Sequence, residues 1–232
     1  MFYPFFDSTY ILVIIGMLIS MLASSYVNST YRKFDKVMNR KGYTATDVAR
    51  LILQDSGIHN VGVQQISGDL TDNYNSSTKI LSLSQTVADS RSVAAIGVAA
   101  HECGHAVQDQ KHYAPLKLRI AMVPVVNFGA KISIPLILIG AIFFSQTPAL
   151  VTIGLWCFAL TFLFQVVTLP VEFNASRRAL AILSENHILE DDELVMAKKV
   201  LTAAALTYVA AAVASLLQVL RLFLLFGNNN RN

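Results

Sequence analysis

The chain has 232 residues, of which 54% are hydrophobic and 14% charged, against about 45–50% and 25% in soluble domains. With a mean hydropathy of +0.50, the apolar excess is too large for the core of one small domain, so much of it faces a second apolar phase, lipid. The net charge of +3 is not gathered into a basic stripe with interleaved aromatics, which excludes a nucleic-acid binder. The only cysteines, Cys103 and Cys157, fall in a helical and a membrane stretch, which excludes a disulfide framework.

Crossing a bilayer core of about 30 Å takes about 20 helical residues. Residues 8–27 form the first stretch that qualifies, and the absence of Lys or Arg from residues 1–10 makes it a retained anchor rather than a cleaved signal. Thr44-Ala45-Thr46-Asp47 then has capping-box spacing, and Val48, Leu51 and Ile52 supply one apolar face before Gly57, which predicts a short amphipathic helix. Val61-Gly62-Val63 and residues 79–84 read as strands, the second alternating through Leu81, Ser82, Leu83 and Ser84. Gly68-Asp69 and Asp72-Asn73-Tyr74-Asn75 between them carry turn chemistry. Residues 90–110 are alanine-rich and predict a helix.

Residues 121–144 form the second span, with Pro124, Asn127, Lys131 and Pro135 inside it. A lysine at the bilayer centre costs about 2.5–3.5 kcal/mol. Either one long helix crosses with Lys131 facing protein or water, or residues 113–130 pack on the polar part and a shorter span begins near Lys131. Gln146-Thr147-Pro148 predicts a short turn into the third span, residues 149–168, so the two spans form a hairpin. Asp191, Asp192 and Glu193, followed by Lys198 and Lys199, place charges along a helix in the sense its dipole favours. That helix leads into the fourth span, residues 203–226, whose single charge, Arg221, is placed to snorkel to the interface.

These elements predict a mainly helical α+β chain with about four transmembrane helices. Its parts are an anchor (1–27), a first polar segment (28–120), a transmembrane hairpin (121–168), a second polar segment (169–202) and a C-terminal span with a short tail (203–232). Of 18 Lys and Arg, 11 lie in residues 28–120 and four in 169–201, so the positive-inside rule puts both polar segments on the cytoplasmic face of a multi-pass cell-membrane protein. Arg32, Lys33, Lys36, Arg40 and Lys41 are read as topology markers, with anionic headgroups as the competing role.

The chemistry concentrates in His101-Glu102-Cys103-Gly104-His105, an HExxH pattern. On a helix, i and i+4 share a face, so both imidazoles can point at one Zn²⁺ while Glu102 stands beside the open coordination position. With five His and five Glu in the chain, chance produces this pattern about two times in a thousand. Cys103 points to another face and is read as a small buried apolar group, and Gly104 as a place of close backbone approach. A catalytic zinc takes three protein ligands and a water. Glu172, just after the third span, is the best third ligand, with His59, His112 and His187 as rivals.

An HExxH helix, a membrane hairpin and then Glu172-Phe173-Asn174-Ala175 resemble the gluzincin membrane proteases, which include the HtpX-type and CAAX prenyl proteases. Residues 68–74, 79–84, 92–108, 169–180 and 203–212 more closely resemble the bacterial membrane-associated neutral zinc metallopeptidases known as YugP-like. The resemblance implies a zincin-like catalytic unit, one Zn²⁺ per chain at His101, His105 and Glu172, and Glu102 as the catalytic carboxylate. Two departures stand out. Ser176 occupies the place where the broader gluzincins carry an Asp that buttresses a zinc histidine, and Asn73 stands where the YugP-like pattern favours His. The expected activity is hydrolysis of a peptide or membrane-protein substrate at the bilayer by a zinc-activated water. The competing class is a zinc-binding membrane scaffold without turnover. Arg177, Arg178, Tyr113 and His187 are unranked candidates for an oxyanion donor. Residues 79–84 are either an edge strand that an extended substrate joins or a half-buried strand.

Overall fold

The computed structural model describes residues 7–142 and 148–226. The expected turn at Gln146 and Thr147, and Arg231 in the tail, lie outside them. The described chain is mainly helical with one small sheet. In order it forms α1 (Tyr10–Phe34), α2 (Ala45–Asp55), β1 (Gly62–Ile66), β2 (Asn73–Asn75), β3 (Ile80–Ser84), α3 (Gln85–Ala88), α4 (Val93–Gln110), α5 (Ala114–Ile142), α6 (Pro148–Glu185) and α7 (Asp191–Phe226). Of these, α1, α5, α6 and α7 are long and apolar enough to cross a membrane.

Contacts divide the chain into two compact units. The first holds the described residues of Met1–Ser24, Leu118–Leu169 and Thr207–Asn232. Its helices enclose a cluster of Ile137, Val151, Leu155 and Leu222 and turn large apolar side chains outward, including Leu22, Phe128, Ile142 and Trp156, each at least 63% exposed. A patch of that kind is costly in water and natural in lipid. The second span belongs to one continuous helix, α5, that runs through both prolines, with Lys131 exposed on it. The Arg221 guanidinium is buried, with Nη2 3.3 Å from Asp7 Oδ2 and its carbon 4.3 Å from the centre of the Tyr10 ring, because an acidic partner lies at the start of α1.

The second unit is Ser25–Lys117 with Pro170–Leu206. The predicted capping box starts α2: Asp47 N–H donates to Thr44 Oγ1 at 3.1 Å, and Thr44 N–H donates to Asp47 Oδ2 at 3.0 Å. This satisfies two end donors that the helix itself leaves unpaired. α2 buries Ala45, Val48, Ala49, Ile52 and Leu53. Ser92 caps α4, its Oγ accepting from Ala95 N–H. Apart from Val98 and His101, α4 is buried from Val93 to Gln108, as its run of small apolar residues allows.

The sheet order is β1-β3-β2, with β1 parallel and β2 antiparallel to β3. Two sequence expectations change here. Asn73-Tyr74-Asn75, expected as a turn, is a short strand in register with Ile80, Leu81 and Ser82. Of the two readings of residues 79–84, an edge strand or a half-buried one, the edge is excluded, because they supply the central strand. Leu81 and Leu83 join the core with α4 residues Ile96 and Ala99, while Ser82 accepts from Gln64 Nε2 and Ser84 Oγ donates to Asp72. The alternation therefore marks two covered faces rather than one wet face. Arg40 and Lys41 of the basic cluster are also spoken for within the fold: Arg40 pairs with Asp192 at 2.6 Å, and Lys41 donates to the His187 carbonyl.

Candidate metal centre

α4 and α6 meet in opposite directions, since His101 lies by Ser176, Gly104 by Ala175, and Gln108 by Val171. The approach is close because Gly104 has no Cβ. One built there would stand 2.5 Å from the Ala175 carbonyl oxygen, closer than any real Cβ packs. Behind this contact Ala175, Ala179 and Leu183 of α6 are fully buried. α6 runs unbroken past Pro170, so Glu172 sits within a helix and not at a helix start where the dipole alone would favour a carboxylate.

On α4, His101, His105 and Gln108 follow at i, i+4 and i+7 and share one face. On α6, Glu172 and Ser176 do so at i and i+4. The structure brings His101, His105 and Glu172 together: one ligand atom from each lies within 4.8 Å of the others, and they are the one such group among the described residues. His101 Nε2 is 3.2 Å and His105 Nε2 3.5 Å from the same atom, Glu172 Oε2. The two imidazole planes are nearly perpendicular. The other ring nitrogens are engaged: His101 Nδ1 lies 3.0 Å from Ser176 Oγ, and His105 Nδ1 3.0 Å from Gln108 Oε1.

The donor set fits zinc. Two imidazoles and a carboxylate leave one of four positions open, as a catalytic site requires. Tetrahedral bonds of about 2.0–2.1 Å put neighbouring ligand atoms about 3.3 Å apart, matching the 3.2 and 3.5 Å separations here. Each histidine also has the outer hydrogen-bond partner that orients metal-binding imidazoles. Burial by itself would lower the His105 pKa, but the hydrogen bond to Glu172 and the charges of Glu102 and Glu172 raise it above the ordinary value in the metal-free chain.

Glu102 is buried beside the two histidines, and its charge acts on His105. Cys103 faces away, fully buried, with Sγ 3.6 Å from the Ala49 carbonyl; burial pushes its thiol far up. The rival histidines do not join the group. His59 is exposed on the surface by Arg50 and Gln54. His112 and His187, with φ of 52° and 50°, are the left-handed residues that end α4 and α6: Tyr113 N–H bonds to the Gln108 carbonyl and Ile188 N–H to that of Leu183, the Schellman pattern. Arg178, an oxyanion candidate, is turned to Asn174, to whose Oδ1 its Nε–H donates at 2.8 Å. Gln108 and Asn174 fall in residues 92–108 and 169–180, where sequence alone assigns them no role. The i+3 step from His105 to Gln108 was the available signal. Asp109, beyond them, accepts from Tyr74 Oη at 2.7 Å and Lys79 Nζ at 2.5 Å, which ties the strands to the end of the histidine helix.

A family model described as "Putative neutral zinc metallopeptidase" matches residues 9–227. A Bacillus subtilis (strain 168) protein named "Putative membrane protease YugP" is 41% identical over 217 residues, covering 94% of this chain and 96% of the relative. No solved structure matches.

Proposed function

Because the chain belongs to this neutral zinc metallopeptidase family, we propose that it is a multi-pass membrane protease of the HExxH gluzincin type. It holds one Zn²⁺ per chain through His101, His105 and Glu172, with Glu102 as general base. The observation that carries this reading is the convergence of both histidine Nε2 atoms on Glu172 Oε2. When bound, zinc supplies Lewis acidity toward the scissile carbonyl and lowers the pKa of the attacking water. Glu102 accepts the proton of that water and passes it to the leaving amine. The substrate is a peptide or membrane protein reached at the bilayer. The lysine and arginine distribution supports a cytoplasmic catalytic part.

The test is metal analysis and proteolysis of the full chain purified in detergent without chelator. Near-equimolar zinc and chelator-sensitive cleavage of a casein-like substrate are expected. Glu102→Gln keeps the zinc and loses activity by about a hundredfold or more. Zinc bound without cleavage over a broad substrate panel would leave a scaffold instead, and a zinc-free wild type would overturn the metal site.

A further inference from the structure

We propose that Arg178, Asn174 and Gln108 form a relay that fixes the tautomer of His105, so that Nδ1 carries the proton and the Nε2 lone pair stays free for the metal. The proposal rests on the metal site described above and assigns positioning residues to it. The logic is one of donors and acceptors. A guanidinium only donates, so the Asn174 atom 2.8 Å from Arg178 Nε is the amide oxygen. That oxygen and the Val171 carbonyl only accept, so the Gln108 atom 3.0 and 2.7 Å from them is the amide nitrogen. Gln108 then presents its oxygen to His105 Nδ1 at 3.0 Å, and an amide oxygen only accepts. The Nδ1 proton follows.

Each link is held in place. Gln108 is fully buried, and turning its amide over would set its oxygen against the acceptor oxygens of Val171 and Asn174. Asn174 and Arg178 are at i and i+4 on α6, so the anchoring charge rides on the helix that carries Glu172. His101 has no such control. Its Nδ1 meets the Ser176 hydroxyl, which both donates and accepts and so is compatible with either tautomer. The two zinc histidines are therefore oriented by unlike devices, one rigid and one adaptable.

The experiment measures zinc affinity of the full chain by chelator competition, and the tautomer of His105 by long-range ¹H–¹⁵N spectra of histidine-labelled protein before and after zinc removal. The His105 signal is assigned by its loss in His105→Asn. Arg178→Met and Asn174→Leu are expected to weaken zinc binding about 10- to 100-fold and to leave metal-free His105 as a tautomer mixture. Asn174→Asp keeps acceptor oxygens facing both neighbours, so it retains affinity near wild type and a protonated Nδ1. Wild-type affinity and tautomer in folded Arg178→Met would overturn the relay, as would Asn174→Asp binding no better than Asn174→Leu. If Asn174→Leu does not fold, Arg178→Met decides, because its side chain is half-exposed. A wild type that binds no zinc would sink the metal site, and the tautomer in the metal-free chain would still judge the relay.

Discussion

Ser176 occupies the position at which an Asp would buttress a zinc histidine, and its hydroxyl lies 3.0 Å from His101 Nδ1. A hydroxyl is a weaker acceptor than a carboxylate, so Ser176 orients His101 with less force than an Asp there would. Ser176→Ala removes the partner altogether, and zinc affinity falls about tenfold in chelator competition, at the lower end of outer-partner losses. An unchanged affinity would show that packing alone holds the ring. At the same scale, His112 and His187 show how residue identity misleads. Histidine is a common metal ligand, but the backbone at both places needs a left-handed conformation that histidine tolerates better than branched residues do.

Two contacts between elements hold the site. The first is the crossing of α4 and α6 at Gly104, where Gly104→Ala drives a methyl into the Ala175 carbonyl. Backbone cannot step aside as a side-chain tip can, so the helices separate, and with them Glu172 and Ser176 move off the histidines. We expect a loss of about 1–3 kcal/mol in stability, read by thermal unfolding, together with weaker zinc binding. The second is the clasp of Tyr74 and Lys79 on Asp109. Burial pushes the Asp109 carboxyl up, but the hydrogen bonds from Lys79 and Tyr74 outweigh it and hold the group below its ordinary 3.8. A depressed folded value stabilises the protein above the unfolded pKa, and that contribution is lost as pH falls through 3.8 toward the lower folded value. In Asp109→Asn the acid limb below about pH 4 is therefore shallower, while hydrogen exchange in residues 73–84 speeds up at neutral pH. An acid limb equal to that of wild type would assign the clasp no electrostatic weight.

For the whole molecule, the two halves of the site are 71 residues apart in sequence at His101 and Glu172, with α5 and most of α6 between them. A metal held by both halves binds only the folded arrangement, so it stabilises that arrangement by mass action: at a hundred times its dissociation constant, zinc adds about 2.7 kcal/mol. Chelator treatment should thus lower the melting temperature, and zinc should restore it. The same treatment of Glu172→Gln should move it little, and an equal shift in that variant would place the metal elsewhere. The four long apolar helices support membrane association. The outward apolar side chains of the first unit account for the composition that a soluble domain of this size could not carry.

Much of this was legible without coordinates because it depends on local periodicity. Four long apolar runs, the Thr44 and Asp47 cap, the helix across residues 90–110 and the i, i+4 histidines all follow from spacing along one element. The sheet was not legible in the same way. Whether β3 is central or at an edge, and whether Asn73-Tyr74-Asn75 turns or pairs, depends on partners distant in sequence, and alternation reads the same for a strand covered on both faces. The end of α6 at His187 was not legible because histidine is not the glycine that such ends usually show. Glu172 could be named from the sequence as a candidate, but only the meeting of α4 and α6 placed its Oε2 between two Nε2 atoms and drew Gln108, Asn174 and Arg178 into one chain of hydrogen bonds. Local pattern determines which face a residue occupies on its own helix. Which residue faces it from another helix is decided by packing, here by one missing methyl at Gly104.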